Sequence, residues 1–143
     1  MASDKNFFQR VQDGELPRPP AADTLGWSLR NLDTTAGTIE VGFEASPAFT
    51  NPVGHVQGGF LAAMLDDTLG PALVATLDDE QFAPTLDLQV QFLRPAHPGT
   101  LIGHGRVVRR GGRIAHLAGE LRDAGGRVVA TATATAMIVE TSL

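Results

Sequence analysis

The chain has 143 residues, a formal net charge of −5 and no cysteine. Its length fits one domain with a sizeable core, its negative charge disfavours general nucleic-acid binding, and the lack of cysteine excludes disulfides, a thiol nucleophile and a thiolate metal site. The sequence contains no run of about 18 apolar residues, so we predict no transmembrane helix. The first residues lack the pattern of a secretory signal. We therefore expect a cytoplasmic protein with no membrane or nucleic-acid partner.

The start of the chain is expected to lie at the periphery of the fold. Residues 7–11 could form a short helix with one apolar face, and three prolines between residues 17 and 20 are expected to end regular structure. We therefore predict a peripheral segment over residues 1–24 and a single folded domain over residues 25–143.

Two strands and one long helix are predicted next. Residues 25–33 and 38–44 have strand patterns, and residues 46–56 predict a loop. The run from Gln57 to about Leu77 predicts the long helix, which is apolar on nearly all sides and should therefore be buried on most of them. Pro71 cannot donate to the carbonyl four residues before it and is expected to kink this helix.

Strands fill the remainder of the chain. Apolar and polar residues alternate from Leu86 to Phe92, which is typical of a half-buried strand. The four predicted strands cover residues 86–92, 100–109, 113–122 and 127–139. The order of elements predicts an α+β fold in which an antiparallel sheet wraps around one apolar helix.

The junction between the loop and the long helix carries the clearest chemical signal. Gly58 and Gly59 expose backbone N–H groups at the helix start, where the helix dipole is positive. Asp66 and Asp67 lie in the middle of an apolar helix, where a carboxylate costs free energy unless it is paired or has a task. An anion-stabilising donor combined with a general base or nucleophile is what acyl transfer requires.

Other catalytic and ligand-binding motifs are missing from the sequence. No HExxH or HxxxH spacing occurs, so we predict no metal. The G-x-S-x-G motif of α/β-hydrolases and the glycine patterns of dinucleotide and P-loop sites do not occur either.

These residues, in this order, resemble the hotdog-fold acyl-CoA thioesterases of the phenylacetate-degradation (PaaI) type. Asn51 lies six residues before Gln57, which leads the glycine pair, and Asp66 occupies the slot of the family's catalytic carboxylate, seven residues after Gly59. The segment Thr85–Ala96 resembles the family's strand after the helix. The family usually has histidine where this chain has Gln57, whose amide can polarise a thioester oxygen by hydrogen bonding but cannot carry a proton away.

The resemblance implies a role for each of these groups. The N–H of Gly59 is the leading oxyanion donor, with Gly58 beside it in the substrate-binding region. Asp66 acts either as general base on water or as nucleophile that forms an acyl-enzyme anhydride. Its neighbour Asp67 points about 100° away around the helix, and an error of one residue in the registration would exchange the two carboxylates.

Five further residues are candidates for the site. Asn51 either holds the loop through an Asx turn or contacts the substrate, and the hydroxyl of Thr85 either lies near the attacking water or belongs to an ordinary strand residue. Arg110 and Arg113 flank a glycine turn and either contact the nucleotide end of coenzyme A or are solvated. His55 is a candidate contact to the substrate. Because it lies two residues before Gln57, it should point elsewhere than the family's histidine and is not expected to replace it.

The spacing on the helix predicts a homodimer. Gly58 and Asp66 are eight residues apart, or about 12 Å along a helix, so one thioester carbonyl cannot contact both groups of the same helix. If both serve one site, they come from two copies with antiparallel central helices. The resemblance implies the same composite sites, often with further pairing into a dimer of dimers, and the free edge of a single sheet also favours self-association.

The expected function is hydrolysis of an acyl-CoA thioester to a carboxylic acid and coenzyme A, with no cofactor, because coenzyme A is part of the substrate. One alternative is a non-catalytic acyl-CoA-binding module, disfavoured because Asp66 is present and the residues before Leu25 are too few for a helix-turn-helix. A second is a hotdog dehydratase, which would need a histidine where this chain has Gln57. An acyl-carrier protein could replace coenzyme A as the donor. Phe60, Leu61, Met64 and Phe82 suit aryl or medium-chain acyl groups.

Overall fold

A computed structural model describes residues 7–141 of the chain. Over these residues the chain forms three α-helices, which are α1 (Phe7–Gln12), α2 (Pro20–Leu25) and α3 (Gly58–Val74). The strands are β1 (Ser28–Asp33), β2 (Thr38–Ala45), β3 (Gln81–Phe82), β4 (Thr85–Phe92), β5 (Gly99–Arg110), β6 (Ile114–Asp123), β7 (Val128–Met137) and β8 (Val139–Glu140). None of the helices in this part of the chain combines the length and apolarity needed to cross a membrane.

Six strands make one antiparallel sheet in the order β1-β2-β5-β6-β7-β4. The strand after the long helix therefore crosses to the far edge of the sheet and pairs with β7, for example Leu88 with Ala134. The small strands β3 and β8 form a separate pair. The long helix α3 packs along one face of the large sheet, which confirms the predicted α+β hotdog arrangement.

The core lies between α3 and the sheet. Met64, Leu65 and Leu73 of α3 are fully buried, and their partners on the sheet include Val41 and Leu117. Burying side chains of this size contributes roughly 1.5–3 kcal/mol each, so the sheet wraps around α3 for the reason that the sequence suggested. The exposed side of this helix is narrow and runs along Gly59, Ala63 and Asp66, as expected for a helix that is apolar on most sides.

Glycines in β5 allow α3 to approach the sheet closely. A Cβ atom at Gly103 would meet Thr68 of α3, with the Cγ2 atom of Thr68 only 3.0 Å away, and would lie 3.1 Å from Val41. Thr68 is fully buried, and its hydroxyl donates to the carbonyl of Met64 at 2.8 Å. The polar atom of this core residue is therefore satisfied within the helix.

The first helices correct one expectation. Pro17 and Pro19 do lie in a stretch without helix or strand, but Pro20 begins a helix, because it occupies the first turn of α2, where the missing N–H costs nothing. Gly26 ends that helix in the left-handed conformation, with a φ of 66°. Leu25 therefore belongs to α2, and the strand that was expected to begin at this residue begins at Ser28.

The long helix ends at Val74, about three residues earlier than predicted, and passes through Pro71. Because Pro71 has no N–H, the carbonyl of Asp67 lacks its helical donor. The indole Nε1 of Trp27 donates to this carbonyl at 2.9 Å and replaces the missing bond. The strand pair β3 and β8 and a 3-10 turn at Pro47–Phe49 are additions that the sequence patterns did not predict.

We expect Gly103→Ala to lower the free energy of unfolding by about 1–3 kcal/mol, because the added methyl group overpacks the contact with Thr68. Urea denaturation measures the change. Gly112→Ala is the matched control, since a Cβ atom there meets nothing within 4 Å. Equal stability of the two variants would contradict the close approach of α3 to β5.

Candidate active site

The loop before α3 is held by Asn51. Its side-chain oxygen accepts the backbone N–H groups of Val53 and His55, each at 3.1 Å, and its own N–H donates to the carbonyl of His55 at 2.7 Å. This is the local bonding of an Asx turn. The oxygen of Asn51 is therefore engaged in fixing the loop, which is one of the two roles considered from the sequence.

The glycine pair forms the first turn of α3. The part of the chain that the structure describes provides no hydrogen-bond acceptor for the N–H groups of Gly58 and Gly59, as is usual for a first turn. A Cβ atom at Gly58 would come within 3.0 Å of the ring of Phe92, whereas one at Gly59 would meet nothing within 4 Å. Gly58 thus permits close packing against β4, while the space above Gly59 is open.

Two polar side chains flank this helix start. Gln57 is the residue that caps α3, and its exposed side chain makes no hydrogen bond to the first turn. The ring of His55 lies edge-on to the ring of His97, with 5.0 Å between their centres. The structure thus leaves the amide of Gln57 available, and His55 contacts another loop histidine.

Asp66 and Thr85 lie 19 residues apart in sequence and meet in the structure. The hydroxyl of Thr85, at the first position of β4, donates to a carboxylate oxygen of Asp66 at 2.8 Å. Asp66 is exposed on the middle of α3. A hydrogen bond from a hydroxyl fixes the orientation of the carboxylate and leaves its second oxygen free to take a proton or attack a carbonyl.

Asp67 has a different environment from Asp66. Its Oδ2 atom is buried and finds no hydrogen-bond partner among residues 7–141. Burial raises the pKa of Asp67 to about 7 from an ordinary value of 3.8; the neighbouring Asp66 carboxylate also raises it, and the Arg18 guanidinium lowers it. A substantial fraction of Asp67 is therefore protonated near neutral pH.

A cavity of about 1020 Å³ lies beside these carboxylates. Asp66, Asp67 and Thr85 line it together with apolar residues of the segment 7–27, which we call the N-terminal arm, and with Phe82 of β3. Sequence reasoning did not find the contribution of the arm. Its apolar pattern predicted a helix, but no local pattern says which surface such a helix covers.

The two arginines lie at the opposite end of α3 from the glycine pair. The guanidinium of Arg110 donates to the carbonyl of Thr76, just after the helix, at 2.8 Å, which is a favourable place for a cation. Arg113 is exposed in the turn between β5 and β6. In one subunit these arginines are therefore remote from Gly59.

The predicted site residues thus fall into separate groups. Asn51, His55 and Gln57 gather with the glycine pair at the start of α3, whereas Asp66 and Thr85 meet at its middle. The two groups are about 12 Å apart along the helix axis, so a single subunit does not bring them together. Within residues 7–141, no three side chains of the metal-binding types lie together as a metal ion would require.

Three of the apolar residues predicted to suit the acyl group lie elsewhere in the structure and do not line the cavity. Leu61 and Met64 are buried in the core, 3% and 0% exposed, and Phe60 stacks on Phe49 with 4.1 Å between ring centres. Phe82 does line the cavity. A helix that is apolar on nearly all sides gives no sign of which side faces a ligand.

Comparisons with known proteins give one consistent result. The model of the thioesterase superfamily matches residues 53–130. A phenylacetic acid degradation-related protein from Ralstonia eutropha JMP134 is 48% identical, with a TM-score of 0.89, and the match covers 92% of this chain and 99% of that one. A protein of Saccharolobus solfataricus named as an esterase is 28% identical over 113 residues, 79% of each chain.

The E. coli PaaI protein from the phenylacetic acid degradation operon shares the fold. Its TM-score is 0.82 at 18% identity, and the match covers 94% of this chain and 95% of that one. Together these likenesses confirm the resemblance drawn from the sequence.

We expect stability to depend on the ionisation of Asp67. Because its pKa is raised in the folded state, the folded protein binds more protons than the unfolded chain between about pH 4 and 7, and this contribution to the free energy of unfolding falls as pH rises through that window. Between these two pH values the free energy of unfolding of the wild type should fall by roughly 2–3 kcal/mol more than that of Asp67→Asn. Urea denaturation at several pH values measures the difference. Asp87→Asn, on the exposed surface of β4, should keep the wild-type dependence, and the same dependence in Asp67→Asn would contradict the assignment.

Proposed function

Because this chain belongs to the thioesterase superfamily, we propose that it hydrolyses an acyl-CoA thioester to a carboxylic acid and coenzyme A at a site shared between two subunits. Membership of the family supports thioester hydrolysis in general. The observation that supports the specific proposal is the pairing of Asp66 with Thr85 at the wall of a large, mostly apolar cavity. We propose that no cofactor takes part and that the protein acts in the cytoplasm.

The chemistry follows from these groups. In the general-base route, Asp66 accepts a proton from water while the water oxygen bonds to the thioester carbon, and the carbonyl oxygen becomes an oxyanion. The N–H of Gly59 would donate to this oxyanion, with Gln57 polarising the same carbonyl. The C–S bond then breaks, coenzyme A leaves as the thiolate, and the proton held by Asp66 is returned to it or to solvent.

In the alternative route, Asp66 attacks the thioester carbon directly. The C–S bond breaks to give an acyl-enzyme anhydride and the thiolate, and water then hydrolyses the anhydride. Both routes use the same oxyanion donor. Thr85 is a positioning residue in either case, because its hydroxyl orients the carboxylate of Asp66.

The distance along α3 supports a composite site. Gly59 and Asp66 are too far apart on one helix to contact one carbonyl, so the oxyanion donor would come from one subunit and the carboxylate from its partner. Strand β4 is at the end of the described sheet, and Leu86, Phe92 and Leu93 on or just after it are 54–55% exposed. An apolar free edge favours self-association, first as a homodimer and then as a dimer of dimers.

Coenzyme A carries phosphates, which arginine recognises well. We propose that Arg110 and Arg113 contact the nucleotide end of coenzyme A from the β5–β6 turn, while His55 and Gly58 contact the substrate near the thioester. The name of the Ralstonia relative connects that protein with phenylacetic acid degradation. Its 48% identity makes an arylacetyl thioester one reasonable substrate to test.

We expect Asp66→Asn to lower kcat by about 10²–10⁴-fold, because the amide can neither accept the proton nor attack. Thr85→Val should lower kcat by a smaller factor, and Thr85→Ser, which keeps the hydroxyl, should restore it. Release of free thiol from acetyl-, hexanoyl- and phenylacetyl-CoA measures these rates, with Asp87→Asn as the control carboxylate variant. Near wild-type turnover in Asp66→Asn would remove the proposed mechanism, and a wild type that binds acyl-CoA without turnover would instead favour the binding module.

We expect two inactive variants to restore each other when they are co-expressed. Gly59→Pro removes the proposed oxyanion donor at a first-turn position that tolerates proline, and Asp66→Asn removes the carboxylate. Random dimers should recover about a quarter of the wild-type activity, because each mixed dimer has one intact composite site. Gly59→Ala keeps the N–H in open space and should remain active. No recovery would mean that the site lies within one subunit.

A further inference from the structure

The cavity beside Asp66 has one wall that does not come from α3 or the large sheet. Phe7 and Phe8 of α1 and Leu25 of α2 line it, together with Phe82 of β3. Phe7 and Phe82 are 42% and 51% exposed, so their rings face open space. These residues of the N-terminal arm lie outside the residues 53–130 that match the family.

The arm is fixed to α3 next to the carboxylates. The indole of Trp27 is buried and donates to the carbonyl of Asp67 at 2.9 Å. The ring of Phe8 lies 5.7 Å from that of Trp27, and Phe7 packs edge-on to Phe8 at 5.3 Å. Arg18 bonds the carbonyl of Trp27 and the carboxylate of Asp23. A continuous series of contacts thus holds Phe7 in a defined position relative to Asp66.

We propose that the N-terminal arm is the acyl-binding wall of the site and that it selects uncharged, apolar acyl groups larger than acetyl. This inference rests on the proposed thioesterase function. The acyl group is the expected occupant, because the aromatic rings of the arm line the same cavity as the Asp66–Thr85 pair. At about 1020 Å³ it reaches the upper end of the range typical of small-molecule sites, which are mostly apolar with a few polar groups.

The charges around the cavity narrow the substrate class further. Asp66, Asp67, Asp78 and Asp79 all line it, and Arg10 is the one cationic side chain among the lining residues that fall within residues 7–141. Arg10 is itself paired with Glu15 at 3.5 Å. A free carboxylate on the acyl group would therefore meet more negative than positive charge, which disfavours its binding. An alkyl chain and an aryl ring can both pack against this apolar wall, and comparison of hexanoyl-CoA with phenylacetyl-CoA distinguishes them.

The test compares kcat/KM for acetyl-, hexanoyl-, phenylacetyl- and succinyl-CoA in the wild type and three variants. Phe7→Ala removes an exposed ring from the wall, and Ala21→Phe adds one from the exposed face of α2, where Ala21 also lines the cavity. Val108→Ala is the control, because Val108 is 57% exposed on β5 and is not among the lining residues. Phe7→Leu keeps apolar packing if Phe7→Ala unfolds.

We expect Phe7→Ala to lower kcat/KM for hexanoyl- and phenylacetyl-CoA by about tenfold while acetyl-CoA changes less than about twofold, because only the larger groups reach the ring. Ala21→Phe should change kcat/KM for the same two substrates and leave kcat/KM for acetyl-CoA nearly unchanged. The ratio between hexanoyl and phenylacetyl rates shows whether an alkyl or an aryl group fits better, and succinyl-CoA should be the poorest substrate.

Several outcomes would overturn the inference. One is a parallel change, or no change, across the panel in the arm variants while wild-type turnover still depends on Asp66. Another is efficient hydrolysis of succinyl-CoA. A third is a change in the oligomeric state of Phe7→Ala by sedimentation, with unchanged selectivity, which would assign the wall to a second copy of the chain. Absence of wild-type turnover on every thioester would instead remove the proposed function itself.

Discussion

Pro71 deprives the carbonyl oxygen of Asp67 of its helical donor, and the arrangement of the site depends on how that oxygen is satisfied. A buried carbonyl without a partner costs free energy comparable to a lost hydrogen bond. The indole of Trp27 supplies the bond from outside the helix. This hydrogen bond therefore compensates for the proline in α3 and also fastens the N-terminal arm beside the two carboxylates. The same contact thus supports the continuity of the helix and the shape of the cavity.

The two adjacent carboxylates illustrate how one turn of helix can provide two environments. Asp66 lines the open cavity and accepts a hydrogen bond from Thr85, whereas Asp67 has a buried oxygen that no described residue hydrogen-bonds. Pairs of titratable groups in contrasting environments are a common property of catalytic sites. Trp27 is bonded to the backbone of Asp67, and burial is the largest cause of the raised pKa of this carboxyl group.

Much of the fold follows from local patterns, and parts of the site do not. Alternation of apolar residues was enough to predict β2, β4 and the hairpin strands, and the uninterrupted apolar run was enough to predict α3. Pro20 begins α2 where the sequence predicted an end of regular structure, because proline both ends regular structure and begins helices, and the surrounding chain decides between the two. The spacing of Asp66 from the glycine pair was visible in the sequence, but the arm's position depends on Trp27 and Asp67, 40 residues apart.

The position of Trp27 has an optical consequence. It is the single tryptophan of the chain, it is 3% exposed, and its indole N–H is bonded to the turn of α3 that carries both carboxylates. The tryptophan fluorescence of the protein therefore originates at the contact between the arm and α3. A shift of its emission towards the red reports release of the arm in solution, without any label or engineered probe.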